Sequence, residues 1–269
     1  MKNNPIGIFD SGIGGLTVAK EVLERLPNES LIYLGDTARV PYGTRGKEVI
    51  EEFAIELARF LLKRRVKSLL VACNTISSTC LGAIESISPV PVIGVLKPAV
   101  NQAAKTTKAN RIGVIGTRAT INSGVYEQEI KKLRPKAEVL TQACPLFVPL
   151  AEEGYTKHQA AKLIAKEYLS KFSESNIDTL ILGCTHYPIL RKIIQEAVGE
   201  GVTLIDSAKP TAEELAKLLE RSNLSSDGTD TFQEFYVTDA PERVYQVADL
   251  FFGNHLSGKL KKINITGQT

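Results

Sequence analysis

Short continuous apolar runs alternate along the chain with longer stretches in which apolar positions recur every three or four residues. The runs Ile6–Phe9, Leu31–Leu34, Ser68–Val71, Val92–Val95, Arg111–Ile115, Thr179–Leu182, Thr203–Ile205 and Phe235–Val237 are rich in Val, Ile and Leu and predict strands covered on both faces. Between them, Lys47–Arg65 places Ile50, Phe53, Leu57, Phe60 and Leu61 at helical spacing, and Gly15–Leu26, Asn122–Leu133, Thr156–Phe172 and Pro210–Leu219 follow the same period. Strands alternating with helices predict an α/β protein of doubly wound, mainly parallel sheets built from βαβ units.

The pattern also repeats weakly. "IGIFDSGIGG" (6–15) is similar to "IGVIGTRATI" (112–121), and "LLVACNTI" (69–76) is similar to "ILGCTHYP" (181–188), which sets Cys73 and Cys184 111 positions apart. Two matches at similar offsets predict two pseudo-symmetric halves: residues 1–97 rejoined by 208–269, and an inserted half, 98–207. Ligands of open α/β sheets bind beyond the C-terminal ends of the strands. Two halves set mouth to mouth would therefore bring both cysteines into one cleft.

Composition narrows the classes. The chain has 269 residues, 43% hydrophobic and 23% charged, as in ordinary globular proteins. A formal net charge of +3 argues against nucleic acid as a partner, and the basic run Lys63, Arg64, Arg65, Lys67 is expected to be an exposed helix end. No stretch reads as a signal peptide or a membrane span. The four cysteines contain no Cys-x-x-Cys pair, so reduced thiols in the cytoplasm are expected.

Several loops carry candidate chemistry. "FDSGIGGLT" follows a strand and opens a helix, so its N–H groups suit a small anion such as a carboxylate. It is not a dinucleotide fingerprint, because Thr17 stands where the third glycine would fall. "GDTARVPYGTRGK" (35–47) is a polar loop with a rigid turn at Pro41, Tyr42 and Gly43. Cys73 precedes Asn74 and Thr75, and Cys184 precedes Thr185 and His186. By contrast, Cys80 lies in a helical run (Ser77–Ile87) as a small core residue, and Cys144 has no such polar company. Three chemistries fit the pair. Cys73, Cys184, His186 and Asp10 could ligate zinc, but short paired ligand spacings are missing. A nucleophilic cysteine with a histidine base leaves the second thiol unexplained. Proton transfer at carbon from opposite faces uses both thiols, one as base and one as acid.

"DSGIGG", "GDTARVPYG", "ACNT", "PLAEEG" and "GCTHYP", in this order over essentially the whole chain, closely resemble the bacterial glutamate racemases of the cofactor-independent aspartate/glutamate racemase superfamily. The resemblance implies racemisation of glutamate, with Cys73 acting on D-glutamate and Cys184 on L-glutamate. It implies Asp10 and His186 as polar partners of those thiols and Glu152 as a further one on the second side. Asp10, Ser11, Tyr42, Gly43, Asn74, Thr75, Thr117, Thr120, Thr185 and His186 are implied as substrate ligands. It further implies no cofactor, no metal, a cytoplasmic homodimer, and a role in supplying D-glutamate for peptidoglycan. Another amino acid such as aspartate, or a non-catalytic two-lobed dicarboxylate binder, are the alternatives. Ile76, where a small residue often follows "ACNT", and "KPAV" (97–100), where a Pro-Gly pair is common, depart locally from the family pattern.

Overall fold

All eight expected strands form in the computed structural model, which describes residues 2–239, 242–253, 256 and 259–265. In chain order the elements are β1 (Ile6–Asp10), α1 (Leu16–Arg25), β2 (Leu31–Gly35), α2 (Lys47–Lys63), β3 (Ser68–Val71), α3 (Asn74–Thr79), α4 (Leu81–Ile87) and β4 (Val92–Gly94). Then come α5 (Leu96–Thr106), β5 (Arg111–Gly116), α6 (Arg118–Asn122), α7 (Val125–Leu133), β6 (Glu138–Ala143), α8 (Phe147–Glu152), α9 (Gln159–Glu174) and β7 (Thr179–Gly183). A 3-10 turn (Tyr187–Leu190) leads into α10 (Arg191–Val198), β8 (Thr203–Ile205), α11 (Ala208–Arg221), β9 (Gln233–Val237), α12 (Glu242–Phe252) and β10 (Leu260–Lys262).

Among the described residues the strands form two sheets, ordered β10-β9-β2-β1-β3-β4 and β6-β5-β7-β8, and every pairing is parallel. The sequence repeat has a direct structural meaning here. The order β2-β1-β3-β4 in the first sheet matches β6-β5-β7-β8 in the second, so β1 corresponds to β5 and β3 to β7. Cys73 and Cys184 therefore follow equivalent strands.

Every residue of β1, β2, β3 and β7 is buried, as expected for strands covered on both faces. Helix α1 turns Leu16, Val18, Ala19 and Val22 inward, and both α11 and α12 pack on it. Phe252 at the end of α12 meets Phe235 of β9 edge to face, centroids 5.3 Å apart. On the second sheet, α5 buries Leu96, Ala99, Val100 and Ala103 against Ile112, Val114 and Ile181. Among the described residues no helix is long and apolar enough to cross a membrane.

Three local expectations need correction. The helical run Asn122–Leu133 is broken at Ser123–Gly124, where Gly124 takes φ +67°, a left-handed turn that glycine adopts without steric cost. The run Ser77–Ile87 is not one helix either: Cys80 (φ −144°, ψ 22°) separates α3 from α4, although its side chain is buried as expected. Finally, the basic run is not simply an exposed helix end. Lys67 is buried at the entry to β3, where its ammonium pairs with the buried Glu29 carboxylate and donates to the carbonyls of Lys2 (2.6 Å) and Leu224 (2.8 Å). A buried ammonium needs such partners, and three of them converge here.

Candidate active site

Asp10 ends β1 with its side chain buried, and Oδ2 accepts the N–H groups of Gly12 (3.2 Å) and Gly15 (2.9 Å). Part of the anion-binding capacity expected of the glycine-rich turn is thus taken by the chain's own carboxylate. The other oxygen, Oδ1, is buried without a hydrogen-bond partner. Two of the glycines are sterically required. A Cβ on Gly15 would lie 2.6 Å from the Asp10 Cβ, and one on Gly14 would lie 2.4 Å from His186 Nδ1 and from Thr185 Oγ1. The turn of the first half thereby touches the cysteine-bearing loop of the second.

Cys73 sits where β3 gives way to α3, in an extended conformation (φ −83°, ψ 121°), with its sulfur 3.2 Å from Ser11 Oγ. Burial pushes its thiol up to about 12, and the Asp10 charge nearby acts in the same direction. Hydrogen bonds from Ser11 and the backbone at Ile76 oppose this without reversing it. The neutral thiol is the resting form of Cys73 near neutral pH.

Cys184 follows β7 directly, and its sulfur is 3.9 Å from His186 Nδ1. The far nitrogen, Nε2, is 3.0 Å from Glu152 Oε1 at the end of α8. Burial alone would lower the histidine pKa. Hydrogen bonding and charge from Cys184 and Glu152 win, raising it to about 10. The two thiols thus differ electrostatically: an aspartate stands beside Cys73, and an imidazolium faces Cys184.

Between them, hydroxyls join the two sheets. Thr75 Oγ1 is 3.0 Å from Thr117 Oγ1 and 3.2 Å from Thr120 Oγ1, and the last two are 2.9 Å apart. Thr117 caps α6 by accepting from the Thr120 N–H. Asn74 Oδ1 accepts the Tyr126 hydroxyl at 2.6 Å, another link across the halves. Gly43 accepts the Ala119 N–H at 3.1 Å, and its lack of a side chain lets Thr117 approach, since a Cβ there would lie 2.6 Å from the Thr117 Cβ. The buried Tyr42 hydroxyl donates to Asp36, which also receives Arg39 and Thr238.

These groups surround one cavity of 380 Å³. Of the residues expected at the site, Ser11, Tyr42, Gly43, Cys73, Asn74, Thr75, Thr117, Glu152, Cys184, Thr185 and His186 line it. Asp10 and Thr120 do not; both stand behind the wall, Asp10 holding the glycine turn and Thr120 the threonine cluster. Gly12, Val40, Pro41, Thr44, Pro145, Val148 and Pro149 also line the cavity, although none of them was expected as a substrate ligand. Val40, Pro41 and Thr44 lie within the "GDTARVPYGTRGK" loop, so a reading that took whole loops would have included them. Pro145, Val148 and Pro149 offer no polar signal. Among the described residues no group of three or more His, Cys, Asp or Glu side chains is placed to hold a metal ion.

The Asp/Glu/Hydantoin racemase family model matches residues 13–215. A glutamate racemase of Geobacter metallireducens is 48% identical over 252 residues, 93% of each chain. The crystal structure of a glutamate racemase from Francisella tularensis in complex with D-glutamate superposes with a TM-score of 0.92 at 40% identity, covering 99% of both chains. Glutamate racemase isoform RacE1 of Bacillus anthracis superposes at 0.93, with 38% identity over 98% of both chains. With this likeness running nearly end to end, the chain belongs to the Asp/Glu/Hydantoin racemase family and, within it, groups with the glutamate racemases.

Proposed function

We propose that this protein interconverts L- and D-glutamate by transferring protons at Cα between two cysteines. The observation that carries the reading is that Cys73 and Cys184, at the ends of equivalent strands in two sheets, line one cavity. With L-glutamate bound, the Cys184 sulfur, as thiolate, takes the Cα proton. The Cα–H electron pair stays on carbon as a carbanion, and the Cys73 thiol delivers its own proton to the opposite face. D-glutamate results, Cys184 is left as thiol and Cys73 as thiolate. The reverse reaction exchanges the roles.

The surroundings support this division. Burial, and after it the Asp10 charge, keep Cys73 protonated, as an acid must be, whereas the imidazolium facing Cys184 complements a thiolate. Ser11, Tyr42, Gly43, Asn74, Thr75, Thr117 and Thr185 supply the hydroxyl, amide and backbone groups that bind the substrate's carboxylates and ammonium, with Thr120 behind them. Preorganised donors of this kind stabilise charge that develops at the carboxylate as the proton leaves. The reaction so described needs neither metal nor cofactor. In this reading residues 98–207 are a lobe inserted between 1–97 and 208–269. The protein works as a cytoplasmic homodimer supplying D-glutamate for peptidoglycan.

The direct test is loss of circular dichroism when purified protein is mixed with L-glutamate or L-aspartate, without added cofactor. Racemisation of glutamate is expected. Turnover of aspartate alone would overturn the substrate assignment, and binding without turnover of either would indicate a dicarboxylate-binding protein.

A further inference from the structure

We infer that Phe251, on the C-terminal helix α12, is a positioning residue for His186. Its ring meets the imidazole edge to face, with centroids 4.9 Å apart and planes at 71°, and it is 4% exposed. Three neighbours define where the imidazole can sit. Glu152 holds Nε2. The bare backbone of Gly14 closes the Nδ1–Cε1 edge, where a Cβ would approach to 2.4 and 2.6 Å. Phe251 supplies the apolar contact and keeps water off the ring.

Phe251 is not an isolated contact. The next residue, Phe252, anchors the same helix turn on Phe235 of the first sheet, and α12 packs on α1, the helix opened by the glycine-rich turn. His186, in contrast, follows β7 of the second sheet. The imidazole facing Cys184 is therefore held by elements of both sheets, and a shift of α12 changes the aim of Nδ1 at the sulfur. Loss of the ring slows the proton transfer on the Cys184 side and leaves the Cys73 side intact.

This rests on His186 assisting Cys184, so the test includes that residue. Turnover and deuterium isotope effects on kcat/KM are measured with L-[2-²H]- and D-[2-²H]glutamate for the native protein and for Phe251→Leu, Phe251→Met, Phe251→Tyr and His186→Asn. Phe251→Leu is expected to lower kcat roughly 10-fold or more, the scale on which small misplacements of catalytic groups act. The isotope effect should rise with L-glutamate, whose proton leaves to Cys184. It should fall toward unity with D-glutamate, whose proton leaves to Cys73 before a slowed return step. Phe251→Met, which keeps apolar bulk, should give the same pattern even if the leucine variant folds poorly, and Phe251→Tyr should restore native behaviour. Native turnover and isotope effects in Phe251→Met, or a loss of turnover with both isotope effects unchanged, would overturn the inference. A fully active His186→Asn would instead overturn the role given to His186 itself.

Discussion

His186 is held through its far nitrogen by Glu152, 3.0 Å from Oε1, so that Nδ1 faces the Cys184 sulfur. The folded imidazole keeps its proton to about pH 10, well above the ordinary histidine value near 6.5. A raised folded value means that the stabilisation is complete below about pH 6.5 and is lost as pH climbs toward 10. Glu152→Gln removes one source of the shift. Urea denaturation should show native stability declining between pH 6.5 and 10, and a shallower decline in Glu152→Gln. With three histidines in the chain, the His186 titration itself can be followed by NMR and should move downward in the variant.

The two-thiol reading requires each cysteine separately. Cys73→Ala and Cys184→Ala should each lose at least ~10³-fold in racemisation, the upper range for positioned acid–base groups. In deuterated water, D-glutamate formed early from L-glutamate should carry deuterium at Cα while recovered L-glutamate carries little. Early D-glutamate retaining the original hydrogen, or one fully active single variant, would exclude the mechanism.

Asp10 predicts a dissociation between reactivity and activity. Its charge, after burial, helps hold the Cys73 thiol protonated, while its Oδ2 holds the glycine turn. Asp10→Asn keeps an oxygen acceptor for the turn but removes the charge. Iodoacetamide should then modify Cys73 faster near pH 8, as followed by peptide mass spectrometry, even though turnover falls. Slower alkylation in the variant would refute this electrostatic role.

The Lys67–Glu29 pair makes a prediction about stability alone. Both side chains are buried, at 0% and 4% exposure. Removing one partner strands a charge, so Lys67→Met should cost about 3–5 kcal/mol in denaturant unfolding. Adding Glu29→Gln should recover a substantial part of that loss. A simple sum of the two single effects would show that the pair is not coupled.

The sequence made the sheets legible wherever strands are buried on both faces, because continuous Val, Ile and Leu runs have few other uses. It failed at β6 and β10, whose polar residues lie at sheet edges: "EVLTQA" and "LKK" carry little apolar signal. The repeat could have found β6, since β2 shifted by the offset of the two halves falls near residue 138. Helices α5, α10 and α12 also went unread, and with α12 the contact between Phe251 and His186. Both cysteines and their polar neighbours stood out because a repeated polar break after an apolar run is unusual. Pro145 and Val148 were invisible because an apolar cavity wall is written in the same letters as a core, and Pro149 was read only as the first residue of "PLAEEG". Lys67 was misread because four basic residues within five positions look solvated, and nothing nearby in sequence announces Glu29.

The matched strand orders of the two sheets have a stereochemical consequence. Two matching arrangements of L-residues are related by rotation, never by reflection, whereas L- and D-glutamate are mirror images. Cys73 and Cys184 also line a single cavity, so the halves are not an L-site and a D-site side by side. In the proposed reaction one set of groups grips the carboxylates and the ammonium of both enantiomers, and only the hydrogen changes sides. What the matched strand orders supply in that reaction is not two pockets but two directions of approach to a single carbon.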